Sequence, residues 1–137
     1  MKISIVNGPN VNLIGSREKK IYGSTNLKVY LEKLIASNKQ IDIDIYYSNV
    51  EGDIINYIQN CKADGIILNA GGYSHTSVAI RDSISAVGIP TIEVHISNLL
   101  SRESFRHISI IGPVCTGSIM GLGLKSYDLA LDFFINN

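Results

Sequence analysis

Tryptophan is absent from this chain, proline occurs three times and cysteine twice. Cys61 and Cys115 stand far apart, with no CxxC or Cys/His spacing, so there is no zinc signature and no disulfide framework. Both are expected to be small buried residues. Charge of one sign is also missing. Twelve Lys and Arg balance twelve Asp and Glu, which removes the broad electrostatic footprint for nucleic acid or an anionic membrane. No apolar run approaches the roughly 20 residues of a membrane span, and residues 3–6 are too short a run for the core of a signal peptide. What remains is 137 residues of which 45% are hydrophobic. That is enough for one domain over 1–137 with its own core and too little for two. The expectation is a soluble cytoplasmic protein with no membrane or nucleic-acid partner.

The apolar pattern alternates between strand and helix along the whole chain. Residues 2–7 read as a first strand. Leu27, Tyr30, Leu31, Leu34 and Ile35 fall on one helical face, with Ser24 or Thr25 as N-cap. Ile41, Ile43, Ile45 and Tyr47 alternate with Asp42, Asp44 and Tyr46, the pattern of an edge strand wet on one face. Ile54, Ile55, Ile58 and Cys61 form a second helical stripe, and residues 65–69 a short buried strand. A third helix is expected after His75, capped near Ser74 or Thr76 and ending near Val87. Residues 91–96 read as a fourth strand, a fifth falls within 108–121, and Leu124, Tyr127, Leu131 and Phe134 mark a last helix. Repeated strand–helix units give an α/β protein, a flavodoxin-like three-layer sandwich whose five-stranded parallel sheet has helices on both faces. Ligands of such sheets bind beyond the carboxyl ends of the strands.

Three of those ends are rich in polar groups. Strand one ends in Asn7-Gly8-Pro9-Asn10 and strand three in Asn69-Ala70-Gly71-Gly72-Tyr73-Ser74-His75. Strand four ends in Glu93-Val94-His95-Ile96-Ser97, followed by Arg102 and Arg106. Each has a plain alternative: Asn10 and Asn69 suit turns, His75 can sit idle near a helix start, and Arg102, Arg106 and His107 can form a solvated turn. Glu93 and His95 share one face of a strand. They are either a surface pair or an imidazole oriented by a carboxylate for acid catalysis. The glycines of residues 117–123 lack dinucleotide-fingerprint spacing and read as close packing.

Residues 7–23, NGPNVNLIGSREKKIYG, are too polar for core and too long for an ordinary strand-to-helix connection of about two to six residues. They place Tyr22 among Arg17, Lys19 and Lys20. Positive neighbours favour a phenolate, so such a tyrosine can serve as a base.

NGPNVNLIGSREKKIYG, NAGGYSHTSVAIRDS and EVHISNLLSRESFRH closely resemble, in that order, the three signature segments of the type II dehydroquinases. The resemblance extends to the C-terminal GLGLKSYDLAL stretch. The second segment more often reads NPGAYTHTS in that family, so Ala70, Gly72 and Ser74 are departures, at positions that shape the loop. The resemblance implies reversible dehydration of 3-dehydroquinate to 3-dehydroshikimate in the shikimate or quinate pathway, with no cofactor and no metal. It further implies that Tyr22 removes the C2 proton, that an enolate forms, and that His95 protonates the departing C1 hydroxyl in an anti elimination. Arg17 then lowers the Tyr22 pKa. A phenol starts near 10, so bringing it toward neutrality takes roughly 4 kcal/mol of phenolate stabilisation, and a guanidinium does this without losing its own proton. Asn10 stabilises the enolate with a bound water. The substrate carboxylate rests on the amides of Ile96 and Ser97, the Ser97 hydroxyl and Asn69. His75 and Arg106 hold ring hydroxyls, Glu93 orients His95, and Arg102 supports this shell. Asp82 reaches a neighbouring subunit's site in a homo-oligomer, a dodecamer built from trimers.

Rival readings fit less well. A phosphoacceptor receiver needs clustered aspartates where Asn7 and Asn69 stand. A flavodoxin needs a hydroxyl-rich phosphate loop where Gly-Pro-Asn-Val-Asn stands. A non-enzymatic binding descendant is weakened by the presence of Arg17, Tyr22 and His95 together, and the type I enzyme of the same reaction needs a longer chain. Replacing Tyr22 by Phe is expected to abolish turnover and leave substrate binding largely intact; near-normal steady-state turnover by that variant would remove Tyr22 as the base.

Overall fold

The computed structural model describes residues 1–14 and 26–137; residues 15–25, which include Arg17, Tyr22 and the expected caps Ser24 and Thr25, lie outside the described residues. Five parallel strands, β1 (Lys2–Asn7), β2 (Asp42–Tyr47), β3 (Gly65–Asn69), β4 (Thr91–His95) and β5 (Gly117–Met120), form one sheet in the order β2-β1-β3-β4-β5. Four helices accompany them: α1 (Leu27–Ser37), α2 (Glu51–Asn60), α3 (Val78–Val87) and α4 (Lys125–Asn136). This is the flavodoxin-like order, in which the chain reverses direction across the sheet between β1 and β3.

Side-chain alternation along the strands divides the core in two. Ile3, Ile5, Ile67, Ile92 and Val94 pack on one face with Leu27 and Leu31 of α1 and with Tyr127 and Leu131 of α4. Val6, Ile66 and Leu68 pack on the other with Ile54 and Ile58 of α2 and Ile80 and Ile84 of α3. The three layers anticipated by the periodicity are therefore present.

Several local expectations shift. Asn26 caps α1 by accepting a hydrogen bond from the Lys28 amide at 2.8 Å. Ser77, not Ser74 or Thr76, caps α3, because a 3-10 turn over Gly71–His75 intervenes and delays the helix. Cys61 is the C-cap of α2 and packs with Ile54, Ile55 and Ile58 on one core cluster, and both cysteines are half-buried, not buried. Strand β4 stops at His95, and only Gly117–Met120 of the 108–121 segment is strand. The β2 edge is also drier than its alternation suggests. Asp44 accepts hydrogen bonds from Ser4 and Tyr57, and Tyr46 stacks on Tyr57 with ring centroids 4.2 Å apart, so α2 shields part of the polar face while Asp42 stays exposed.

The loops leaving β1 and β3 are pressed together. The Gly8 amide donates to the Asn69 carbonyl at 2.7 Å, and a Cβ on Gly8 would lie 2.6 Å from the Ala70 carbonyl oxygen. Gly71 adopts φ +58°, with its missing Cβ aimed at the Pro9 carbonyl oxygen, a conformation glycine takes at little cost. Gly8→Ala is expected to destabilise the protein by about 1–3 kcal/mol through backbone overpacking, read as a lowered urea midpoint; an unchanged midpoint would show that the two loops can separate freely.

Candidate active site

A cleft of about 220 Å³ opens at the carboxyl ends of β1, β3 and β4, lined by Asn69 of β3, His95 of β4 and the segments that follow all three strands. This is where the strand-end rule places a ligand. Asn10, Asn69, His75, His95, Ile96, Ser97 and Arg106, all singled out from the sequence, line it together. Glu93 lies beneath, behind His95. Asp82 does not join them: it sits exposed on α3, paired with Arg81 at 3.3 Å. Tyr22 and Arg17 fall outside the described residues.

His95 and Glu93 are no surface pair. They are 5% and 1% exposed, and the His95 Nε2 lies 2.8 Å from Glu93 Oε1. Ser109 donates to the same oxygen at 2.5 Å and Ser118 to Oε2 at 2.7 Å. Burial pushes the Glu93 carboxyl pKa up, but the hydrogen bonds from His95, Ser109 and Ser118 outweigh it, and the net shift is downward. An ionised carboxylate accepts only, so the ring donates from Nε2. That fixes the tautomer and leaves Nδ1 as the nitrogen available for proton exchange. Gly112 completes the pocket of the carboxylate: a Cβ there would lie 2.9 Å from Glu93 Oε2.

The His75 ring is roughly parallel to that of His95, with centroids 6.1 Å apart. Its Nδ1 donates to the Ile108 carbonyl at 2.7 Å, so Nε2 is its remaining polar atom. The ring of His75 is therefore held in place at the end of the turn over Gly71–His75. Asn10 is held in a left-handed conformation, φ 66°, its amide bound to Asn49 Oδ1 at 2.9 Å. Non-glycine residues in that region concentrate at functional sites.

The Ile96 and Ser97 amides follow the end of β4, with no backbone acceptor among the described residues. Two N–H groups at a strand end that point to no backbone acceptor among the described residues suit a carboxylate. Arg106 is held by Glu103, Nε to Oε2 at 2.6 Å, and Arg102 lies 3.7 Å from the same oxygen. Arg102 also reaches Ser97 Oγ at 3.5 Å, which ties it to the cleft wall. The turn is thus a built part of the cleft, not a loose charge run.

Glu103, Ser109 and Ser118 were missed by the sequence reading. Glu103 had a signal in its i,i+3 spacing to Arg106. Ser109 and Ser118 had none, because they meet Glu93 across 16 and 25 residues of chain. Among the described residues, no three His, Cys, Asp or Glu side chains cluster as a metal cage requires, and no helix is long and apolar enough to cross a membrane.

Comparison with known proteins adds an independent line. The family model for class II dehydroquinase matches residues 1–135. A Campylobacter jejuni protein named 3-dehydroquinate dehydratase is 55% identical over 135 residues, covering 96% of this chain and 85% of that one. A Fusobacterium nucleatum protein of the same name is 51% identical over 145 residues, covering 98% of this chain and 97% of that protein. The crystal structure of a type II dehydroquinase from Butyrivibrio crossotus superposes with a TM-score of 0.93 at 49% identity, covering 100% of this chain and 98% of that one.

Because the folded Glu93 carboxyl titrates below its ordinary 4.5, its charge stabilises the fold at higher pH. That contribution is lost as pH falls through the folded value. The gap in unfolding free energy between wild type and Glu93→Gln, measured by urea denaturation from about pH 7 down to about pH 3, is expected to narrow below pH 4.5. A gap independent of pH would mean that Glu93 is not charged in the native protein.

Proposed function

The chain belongs to the class II dehydroquinase family. We propose that its reaction, the dehydration of 3-dehydroquinate to 3-dehydroshikimate in the shikimate pathway, runs in the cleft beyond β1, β3 and β4 as an anti elimination through an enolate. One observation carries the site assignment. An imidazole 5% exposed at the cleft floor is bound through Nε2 to a carboxylate that three donors keep ionised. A held imidazole with one nitrogen left for the ligand is what a general acid requires.

His95, protonated at both ring nitrogens when substrate is bound, gives its Nδ1 proton to the departing C1 hydroxyl, which leaves as water, and the ring ends neutral with its remaining proton on Nε2. Glu93 orients the ring and balances the charge it carries before that transfer. Tyr22, as phenolate, takes the C2 proton, and Arg17 stabilises that phenolate. These two roles rest on the family resemblance. Electrons from the broken C–H bond pass into the neighbouring ketone, and Asn10 at the cleft wall meets the enolate charge. The amides of Ile96 and Ser97, the Ser97 hydroxyl and Asn69 bind the substrate carboxylate. His75 Nε2 and Arg106 bind ring hydroxyls, with Glu103 holding the guanidinium for that task. Every step moves a proton between side chain and substrate, so the scheme assigns no cofactor and no metal.

The same reading extends to assembly and place. Residues 1–137 act as one cytoplasmic catalytic domain within a homo-oligomer, a dodecamer of trimers. Asp82 is 64% exposed on α3 and outside its own cleft, which suits a residue that serves a neighbour's site. The β2 edge offers unpaired backbone groups for association.

Protein stripped of metals is expected to convert 3-dehydroquinate to a conjugated enone seen as a rise in ultraviolet absorbance, with His95→Ala slower in kcat by about 10²–10⁴-fold. No rise would overturn the activity, a fast His95→Ala would overturn the acid assignment, and a single-subunit mass by light scattering would overturn the assembly.

A further inference from the structure

Tyr127 lies in the first turn of α4 and is 0% exposed, yet its hydroxyl is not idle. The Asn69 Nδ2 donates to it at 3.0 Å, and it donates in turn to Asn7 Oδ1 at 2.7 Å. Asn7 and Asn69 face each other in register at the last pair of the β1–β3 ladder. A side chain near the C-terminal end of the chain therefore reaches under the sheet edge and ties together two strand ends at the floor of the cleft.

The polarity of this chain is determined by a group that cannot reverse. The Gly71 amide is a donor only, and it points at Asn69 Oδ1 from 3.2 Å. The Asn69 oxygen must face Gly71, its nitrogen must face Tyr127, and the Tyr127 proton must then go to Asn7. Burial raises the Tyr127 phenol well above its ordinary value, so that proton stays in place wherever the protein is folded. Asn69 Nδ2 carries two hydrogens. With one committed to Tyr127, the second is the donor left for the cleft that Asn69 lines. A free amide rotor could instead turn its oxygen toward a bound anion and repel it.

Asn7 gives a second reason to see a specific arrangement here. It is 0% exposed, and its Nδ2 has no partner among the described residues. A buried amide with one end unsatisfied calls for an explanation. Its Oδ1 supplies one: it is the acceptor that orients the Tyr127 hydroxyl. A leucine of similar size would fill the space and lose that acceptor.

We propose that Tyr127 is a positioning residue for the substrate carboxylate, acting through Asn69, with Asn7 as the anchor at the far end of the hydrogen-bonded chain. This rests on the reading of Asn69 as a carboxylate ligand given above. Because the network touches ground-state binding and no reacting atom, its loss should appear in KM and spare kcat.

The test compares wild type, Tyr127→Phe, Asn69→Ala and the double variant by steady-state kinetics with 3-dehydroquinate, with thermal melting beside each. Tyr127→Phe is expected to raise KM about tenfold and change kcat less than about threefold, while in the Asn69→Ala background it adds less than about twofold to KM. A merely structural tyrosine would lower the melting temperature and leave KM alone, and that result overturns the proposal. So does an equal KM effect in both backgrounds. Asn7→Leu reads the other end of the chain, so the outcome does not depend on how well Tyr127→Phe folds: a raised KM supports the network and an unchanged KM overturns it. A wild type that fails to turn over 3-dehydroquinate would instead overturn the reading of the site beneath this one.

Discussion

A carboxylate 1% exposed to solvent is the constraint on which the working end of this molecule depends. Burying such a charge is costly unless donors replace the water it loses. Glu93 gets them from His95, from Ser109 in the loop before β5 and from Ser118 in β5. Satisfying the charge therefore requires β4, β5 and the loop between them to be in place together. The arrangement returns something to the site, since the donor that His95 gives to Glu93 is also what holds the ring. Stability of a buried charge and orientation of an imidazole are here one set of hydrogen bonds.

The rest of the cleft is built by bringing two loops closer than side chains allow. Gly8 and Gly71 let the segments after β1 and β3 touch through backbone, at the point where the direction of the sheet reverses. Asn10 and Asn69 then stand at one opening from segments 59 positions apart in sequence, 69 less 10. Rigid strands fix the depth of the site, while the turn carrying Arg102, Glu103 and Arg106 forms one wall. A site held on strand ends is better preorganised than one held on loops alone, because its polar groups need little rearrangement when charge develops in the substrate.

Much of this was legible in the residues. The alternation of strand and helix signals required a layered α/β fold, because each apolar face must find another to cover it. The strand-end rule then collected Asn10, Asn69, His75, Glu93, His95, Ser97 and Arg106 before any contact was known. Helix starts were less legible. Asn26 and Ser77 cap α1 and α3 in place of the neighbouring hydroxyls, because several adjacent polar residues compete for one cap and only the path of the incoming chain decides. The polar face of β2 is partly shielded by α2 beyond what its alternation shows, since alternation reports which residues share a face and not what packs against it.

By itself the sequence determined the class of fold, the edge of the sheet where the cleft opens and most of the side chains that line it. Those follow from local spacing, which the periods of helix and strand translate directly into faces and ends. Only the tertiary structure decided that Glu93 and His95 are buried, that Ser109 and Ser118 keep the carboxylate charged, and that Tyr127 reaches from the last helix to Asn69 and Asn7. Hydrogen bonds between residues 16 to 120 positions apart leave no periodic trace in the chain, because they exist only once packing has brought their partners together.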